Sequence, residues 1–187
     1  MGARAETAAA TRERAIQAAY ELFLERHFDE VTFPAVAARA GVSVPTIVRT
    51  FGTKEGMLAA VAAREAPERE RIRAVDPGDY AAAVRAVVRD YEATGDAVMR
   101  AIVTAERYPG LADAIAQGRD AHKDWCARVF GPLLDGTPAV TREQALLRCV
   151  VATDVCTWHL LRRQHGLSAE ETADVMLSTL GSLEGER

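Results

Sequence analysis

Apolar residues recur with the period of an α-helix along nearly the whole chain. In the first predicted helix, which begins at Thr11, one face is formed by four residues at i, i+3, i+4 and i+7: Ile16, Ala19, Tyr20 and Phe23. Residues 1–10 are small and polar, and we expect them to form a frayed tail. No segment shows the alternation of apolar and polar residues that is typical of a strand. The pattern therefore predicts an all-α protein.

Two short helices separated by a glycine turn follow. Thr32 is a candidate N-cap for the first of them, and Gly41 ends it. Ser43 caps the second helix, which ends at Phe51 and carries Ile47 and Phe51, four residues apart, on its inner side. This arrangement predicts a helix-turn-helix, a unit whose second helix enters the major groove of DNA while the first crosses the backbone.

The outward positions of the second short helix are candidates for DNA contact. They comprise the cap and six helical residues: Ser43, Val44, Pro45, Thr46, Val48, Arg49 and Thr50. Residues 31–54 contain three basic residues, Arg39, Arg49 and Lys54, and no acidic one. The net charge of -4 argues against non-specific coating of nucleic acid, but this local charge favours contact with phosphate.

The chain changes character after the fourth predicted helix. Residues 66–73 are highly charged, which we interpret as a solvated helix face, and residues 76–79 form a turn signal. We therefore predict an N-terminal domain over residues 1–66 and a second, wholly helical domain over residues 67–187.

The second domain brings the total to about nine helices. Its predicted segments cover residues 79–94, 96–107, 109–134 and 146–161 and a capped helix after Ser168, with a loop over residues 135–141. Asp154 lies within the apolar segment 146–161, where an unpaired buried carboxylate would be costly. Its side chain therefore faces solvent, pairs across a dimer interface or meets a ligand, and the sequence leaves all three open.

Residues 12–58 resemble the N-terminal domain of the tetracycline-repressor (TetR) family of transcription regulators. The resemblance rests on several spaced features: ELF, F-x-x-V-T, AxxAGVS, P-T-I and F-G-T-K-E. The helix order of the remaining chain resembles the ligand-binding and dimerisation domain of that family. The expected architecture is a three-helix DNA-binding domain followed by a helical effector-binding domain.

The resemblance implies a role for several residues. Thr32 would hold a phosphate, Arg49 would read a guanine or clamp a phosphate, and Lys54 would contact the DNA backbone. Val44, Pro45 and Thr46 would approach the bases. Two positions depart from the family pattern, since Val48 stands where an aromatic residue is usual and Thr50 where His or Tyr is common. Losing such contacts predicts weaker binding and leaves the operator sequence open.

The resemblance also implies a homodimer formed through the last two helices, which binds a palindromic double-stranded DNA operator. A small-molecule effector would release it, so that the protein acts as a repressor. Candidate effector-binding residues on the middle helices are Tyr91, Met99, Ile102, Glu106, Trp125, Cys126, Phe130 and Trp158. The alternative is a helical ligand-binding protein that has lost specific DNA binding through the changes at Val48 and Thr50.

Composition narrows the remaining classes. The apolar fraction of 49% is sufficient for a core, and three cysteines without a CxxC motif favour a reducing compartment. The chain start has no apolar signal-peptide region, and no apolar run approaches a membrane span, so we expect a cytoplasmic protein. We find no enzymatic motif, and we expect no cofactor. His122, His159 and the three cysteines are better explained as core residues than as metal ligands, although a redox role for the cysteines stays open.

Overall fold

The computed structural model describes residues 2–135 and 139–181, in which every regular element is helical. Nine helices lie within this part of the chain, if the single turn Gly131–Leu134 is counted with the helix before it. They are α1 (Gly2–Glu25), α2 (Phe33–Ala40), α3 (Val44–Phe51), α4 (Lys54–Ile72), α5 (Tyr80–Thr104), α6 (Pro109–Val129), α7 (Ala139–Ala152), α8 (Val155–His159) and α9 (Ala169–Gly181). The predicted all-α class is confirmed.

Short turns of other helix types extend these elements. Phe28–Glu30 and Ala105–Arg107 are 3₁₀ turns, and Leu160–Gln164 continues α8 as a π-helical turn. Of the predicted loop 135–141, residues 136–138 lie outside the described residues, and α7 already begins at Ala139. No helix in the described ranges is both long enough and apolar enough to cross a membrane.

The expected frayed tail is wrong, because α1 begins at Gly2. Residues 3–10 are rich in alanine, the residue with the highest helix propensity, and this composition favours continuation of the helix toward the N-terminus. The hydroxyl of Thr11, where the helix was predicted to start, donates to the carbonyl of Thr7 at 2.8 Å, one turn earlier. Thr11 therefore lies inside the helix.

Residues 2–68 and 100–114 form one compact unit. Its core joins the inner faces of the first four helices through buried side chains from α1, α2, α3 and α4, among them Ile16, Leu22, Val36, Ile47, Phe51, Met57 and Val61. The predicted inward pair Ile47 and Phe51 is confirmed, with exposures of 0% and 8%. Burial of this pair fixes which face of α3 points outward.

The predicted caps of the helix-turn-helix are also confirmed. The Thr32 hydroxyl accepts a hydrogen bond from the amide of Ala35 at 3.3 Å, and the Ser43 hydroxyl accepts from the amide of Thr46. Gly41 has φ +66°, the left-handed conformation that ends a helix and that glycine adopts without strain. These local signals set the turn between α2 and α3.

Residues 69–99, 115–135 and 139–181 form the second compact unit. Its buried side chains come from α5 to α9 and include Val84, Val87, Tyr91, Trp125, Phe130, Cys149, Trp158 and Met176. The predicted division into functional domains at residues 66 and 67 stays a prediction. Residues 100–114, which that division assigns to the second domain, belong to the first compact unit.

The two helices predicted over residues 79–94 and 96–107 are one helix, α5. Gly95 is the reason that the sequence suggested a break, but its missing side chain has a packing cause. A Cβ atom there would lie 2.4 Å from Cζ3 of Trp158, which is fully buried. Gly95 therefore makes room for an indole ring.

The single apolar helix predicted over residues 146–161 is instead broken between α7 and α8. Asp154 is the N-cap that starts α8, because its side chain accepts a hydrogen bond from the amide of Cys156 at 2.8 Å. The residue is half-buried. Its capping role was missed in the sequence, where the surrounding apolar run suggested one continuous helix.

Candidate functional site

The outer face of α3 combines apolar and polar side chains. Val44 and Val48 are 37% and 45% exposed, whereas most aliphatic side chains of the described chain are buried. Pro45 and Arg49 are exposed beside them, and Thr46 is half-buried. The two valines lie four residues apart, so they occupy one side of the helix surface. This is the composition expected of a helix that meets base edges and thymine methyl groups.

The polar side chains of α3 form hydrogen bonds around Thr46. Its hydroxyl lies 2.9 Å from that of Ser43 and accepts from Nη2 of Arg49 at 3.4 Å. The hydroxyl of Thr50 donates to the backbone carbonyl of Thr46 at 2.7 Å. The single hydroxyl donor of Thr50 is therefore used within the helix, while Arg49 has guanidinium N–H groups that form no hydrogen bond within the helix.

Two predicted phosphate ligands lie at the starts of neighbouring helices. Thr32 is exposed at the N-terminus of α2, where its hydroxyl serves as the cap. Nζ of Lys54, the first residue of α4, lies 4.4 Å from the centroid of the Phe28 ring, within cation–π distance. Burial lowers the pKa of Lys54 from its ordinary value. Lys54 is half-buried in this position.

The local positive charge is smaller than the sequence suggested. Both Nη atoms of Arg39 donate to the carboxylate oxygens of Glu25, at 2.6 and 2.8 Å. This fork lowers the pKa of Glu25 through the hydrogen bonds and the charge of Arg39. Arg49 has no such partner among the described residues. Of the three basic residues in segment 31–54, one is therefore neutralised within the fold.

A family model supplies the identification. Residues 15–61 match the model described as "Bacterial regulatory proteins, tetR family". Residues 15–61 therefore belong to the DNA-binding domain of the tetR family. The matched residues contain the whole of α2 and α3, which form the helix-turn-helix, together with the last eleven residues of α1 and the first eight of α4. The chain thus carries the DNA-binding domain of a transcription regulator of this family.

Solved structures share the fold. A transcriptional regulator from Rhodococcus sp. RHA1 is similar at 20% identity with a TM-score of 0.72, and the match covers 94% of this chain and 96% of that one. A tetR-family regulator from Mesorhizobium loti gives 16% identity and a TM-score of 0.63, covering 96% and 97%. The multidrug binding protein EbrR, solved with imidazole, gives 17% and 0.62, covering 90% and 88%. No curated protein sequence matches the chain.

The candidate effector-binding residues fall into two groups. Six lie in the second compact unit, five of them buried: Tyr91, Trp125, Cys126, Phe130 and Trp158. The sixth, Met99, is half-buried. Their rings meet in two pairs, with centroids of Tyr91 and Trp158 at 6.0 Å and of Trp125 and Phe130 at 5.9 Å. Ile102 and Glu106 belong to the first compact unit, and Glu106 is exposed. The eight candidates are thus divided between the two compact units.

A buried polar cluster in the second unit was missed. Arg73, which ends the charged segment 66–73, was expected on a solvated face, but its side chain is only 11% exposed. Its Nε and Nη2 both lie 2.7 Å from Oδ2 of Asp90, and Nη1 lies 3.1 Å from Nδ1 of His122. These partners are 17 and 49 residues away in the chain. The expectation is wrong for Arg73 because charge patterning within one helix cannot detect them.

The protonation of His122 follows from its neighbours. Arg73 can only donate, so Nδ1 of His122 accepts and Nε2 carries the proton. Nε2 lies 3.2 Å from the hydroxyl of Thr153, which itself donates to the carbonyl of Cys149 at 2.7 Å. Burial and the charge of Arg73 lower the pKa of His122 to about 4. The ring is therefore neutral near pH 7.

This neutral histidine predicts a pH-dependent stability. The pKa of His122 is about 4 in the folded protein and 6.5 in its ordinary state, so between these values the unfolded chain binds more protons. Unfolding free energy should fall by roughly 3 kcal/mol on acidification through this window. Chemical denaturation from pH 7 to 4 should show a shallower loss for His122→Asn. The exposed His165→Asn is the control, and equal pH profiles for all three proteins would contradict the assignment.

The cysteines differ in exposure but not in the direction of their pKa shifts. Burial raises the pKa of Cys126 to about 11 and of Cys149 to about 12, and also that of the exposed Cys156 to about 11. Sγ of Cys126 lies 3.7 Å from Nε2 of His122, and Sγ of Cys156 lies 4.0 Å from Sδ of Met99. In the part of the chain that the structure describes, no group of three His, Cys, Asp or Glu residues is placed to hold a metal ion.

Proposed function

We propose that this regulator is a cytoplasmic, homodimeric repressor that leaves a palindromic operator when a small-molecule effector binds. The observation that carries the proposal is the exposed outer face of α3. Burial of Ile47 and Phe51 holds α3 against the core and leaves Val44, Val48 and Arg49 outside. In a helix-turn-helix, these are the positions that face base edges in the major groove.

The proposed DNA contacts differ in what they contribute. Arg49 reads a guanine through its planar fork, whereas Thr32 and Lys54 bind phosphates and set the register of the protein on the duplex. Val44, Pro45 and Val48 supply apolar contact, including contact with thymine methyl groups. Ser43, Thr46 and Thr50 hold α3 in shape through the hydrogen bonds around Thr46 and lie beside the same groove.

The alternative function is a ligand-binding helical protein without specific DNA recognition. It is favoured by the apolar Val48 and by Thr50, whose hydroxyl donates to its own helix. Selection of random duplex DNA on the purified protein at moderate salt separates the two functions. We expect an enriched palindrome, whose half-site spacing also gives the separation of the reading helices. A folded dimer that enriches no sequence would overturn the repressor in favour of the alternative.

Arg49→Ala should weaken binding to the selected operator by about tenfold to a hundredfold, since a good Arg–guanine contact contributes about 1–3 kcal/mol of discrimination. Specificity should relax at one base pair of each half-site. Fluorescence anisotropy with the selected duplex and with single-base variants measures both effects.

Arg85→Ala is the matched control, because Arg85 is an exposed arginine on α5. It removes the same charge and should leave operator affinity nearly unchanged. If Arg49→Ala weakened binding to all sequences equally, Arg49 would be a phosphate ligand and not a base reader. Unchanged affinity would remove Arg49 from the interface.

The dimer is supported by the distribution of exposed aliphatic side chains. Four of the large ones lie in the last helices: Leu147 (45%), Val151 (65%), Leu160 (43%) and Val175 (39%). Leu147 and Val151 are four residues apart on α7 and therefore share one side of that helix. An apolar helix side that is open in one chain fits a two-fold interface, in which α7 and α9 of two copies form a four-helix bundle.

Effector control follows from linkage between two binding sites. The effector must bind the shape that is incompetent for DNA more tightly than the competent shape, and DNA must weaken effector binding by the same factor. We place the effector among the candidate residues of the second unit, with Tyr91, Trp125 and Trp158 providing aromatic surface. Cys126 follows Trp125 in the chain, and the Phe130 ring packs against the Trp125 ring. Sδ of Met99 lies 4.0 Å from Sγ of Cys156, two residues before Trp158.

A further inference from the structure

The side chain of Arg73 lies between two aromatic rings and a carboxylate. Its guanidinium carbon is 5.1 Å from the centroid of the Tyr91 ring and 5.5 Å from that of Trp125. Asp90 accepts its hydrogen bonds at 2.7 Å, and His122 accepts another at 3.1 Å. We call these four residues, Asp90, Tyr91, His122 and Trp125, the Arg73 cage.

The cage has the chemistry of a cation-binding site. Ring faces of Tyr and Trp attract delocalised cations, and a carboxylate within hydrogen-bond distance adds charge and direction. Every member of the cage is at least nine-tenths buried, with exposures of 3% for Asp90, 7% for Tyr91, 8% for His122 and 5% for Trp125. Without a cation in the cage, the buried carboxylate of Asp90 would keep only the exposed Arg69, whose Nε lies 3.8 Å away, as a charged partner.

Arg73, whose side chain occupies the cage, lies in the connection between two helices and not within a helix, so its side chain can move out of the cage. Arg73 is the first residue after α4 and begins the seven-residue connection to α5 formed by residues 73–79. The cage itself is built on α5 and α6, two long helices. The indole N–H of Trp125 also donates to the backbone carbonyl of Arg73 at 3.0 Å. Side chain and backbone together therefore fasten the end of α4 to α5 and α6.

We propose that the Arg73 cage is the binding site for a planar organic cation, of the guanidinium or amidinium class, and that Arg73 occupies it when the effector is absent. The incoming cation takes the place of the Arg73 guanidinium between the rings and on Asp90. Arg73 moves into solvent, and the end of α4 is released. This proposal rests on the proposed function, since it names the chemical class and the site of the effector.

An anionic effector fits the cage less well. The charge of Arg73 is already compensated by Asp90, and Nε of the neighbouring Arg69 lies 3.8 Å from the other oxygen of that carboxylate. Neutral His122 faces Arg73 through a nitrogen that accepts and does not donate. An anion would therefore meet a carboxylate and a lone pair, and both repel it.

Occupation by Arg73 has a quantitative consequence. A ligand that binds only the open cage has an apparent dissociation constant equal to its intrinsic one divided by the open fraction. Removing Arg73 removes this competitor. A variant that lacks Arg73 should therefore bind a matching cation more tightly than the wild-type protein binds it.

The test uses ethylguanidinium, which replaces the atoms that Arg73→Ala deletes beyond Cβ. Isothermal titration calorimetry on the full chain should show saturable binding to Arg73→Ala at least about tenfold tighter than to wild type. Ethylurea, the neutral compound of the same shape, should bind neither protein. Millimolar ethylguanidinium should also restore part of the melting temperature that Arg73→Ala loses, whereas ethylurea should not.

Two further variants complete the design. Asp90→Asn in the Arg73→Ala background should abolish binding, because the cation loses its carboxylate. Arg85→Ala should bind ethylguanidinium no better than wild type does. Arg73→Gln keeps a hydrogen-bond donor for Asp90 and serves if Arg73→Ala does not fold; because its side chain fills part of the cage, it should bind ethylguanidinium more weakly than Arg73→Ala but more tightly than wild type.

The outcomes separate this proposal from the proposed function. No saturable binding to either Arg73 variant, equal binding of ethylurea, or binding as tight in wild type as in Arg73→Ala would overturn the cation site. Wild-type protein that enriches a palindrome would then remain a regulator with its effector elsewhere. Conversely, cation binding that requires Asp90 would stand even if no DNA sequence were enriched.

Discussion

Val151→Arg should convert the protein into a monomer and weaken operator binding at least about a hundredfold, because a dimer holds its second reading helix at high effective concentration. Val151 is 65% exposed on α7, one turn after the exposed Leu147. In a two-fold interface each substitution occurs twice, so two arginines would enter the same apolar contact without partners. Light scattering gives the oligomeric state, and anisotropy with the selected operator gives the affinity.

Val103→Arg is the matched control for this prediction. Val103 is the most exposed large aliphatic residue of the described chain, at 70%, and lies on α5 outside the last helices. This variant should remain dimeric with wild-type affinity. A Val151→Arg protein that stays a dimer would place the interface elsewhere. A monomer with full affinity would separate DNA recognition from dimerisation.

Gly95→Ala should destabilise the second unit by about 2 kcal/mol, although alanine is the better helix former. Three atoms of the Trp158 ring would lie 2.4–2.8 Å from the new Cβ. The ring is fully buried and cannot retreat easily, since its Nε1 donates to Glu92 at 2.9 Å and Arg163 covers its face at 4.9 Å. Overpacking of this kind costs about 1–3 kcal/mol and exceeds the gain of up to about 1 kcal/mol in helix propensity.

Thermal denaturation measures this effect, and about 2 kcal/mol corresponds to a decrease in Tm of roughly 4–8 °C for a chain of this length. Gly118→Ala is the control, because Gly118 is exposed on α6 and a Cβ there meets nothing within 4 Å. It should raise stability by about 0.5–1 kcal/mol. In a Trp158→Leu background Gly95→Ala should lose most of its penalty, and an unchanged penalty would show that the ring is not its cause.

Local signals predicted the N-terminal unit well. The caps Thr32 and Ser43 and the ending at Gly41 act over two to four residues, so the sequence contains all that determines them. The inward pair Ile47 and Phe51 follows from one helical turn. For the same reason the first turns of α2 and α3 could be located from residue types alone, and with them the candidate DNA-contacting face.

The errors arose where a distant partner decides the structure. Gly95 suggested a break between two helices, but in the structure it lies inside α5 and packs against Trp158, 63 positions later in the chain. The sequence placed Arg73 on a solvated charged face, but in the structure Asp90 and His122 bind its side chain. It also counted Arg39 as a free positive charge, but Glu25 pairs with it. Asp154 shows a different limit: a capping residue inside an apolar run is hidden, because the run itself indicates a continuous helix.

In the proposed dimer, the open apolar side of α7 would also link operator occupancy to the number of chains in the cell. Burial of Leu147 and Val151 stabilises only the paired chains, so pairing strengthens with chain concentration by mass action. While single chains predominate, the amount of the DNA-binding species rises with the square of the chain concentration. A twofold change in synthesis then gives a fourfold change in dimer. In the proposed dimeric repressor, the exposed valine and leucine would thus make repression respond more steeply to gene dosage than it would in a monomeric regulator.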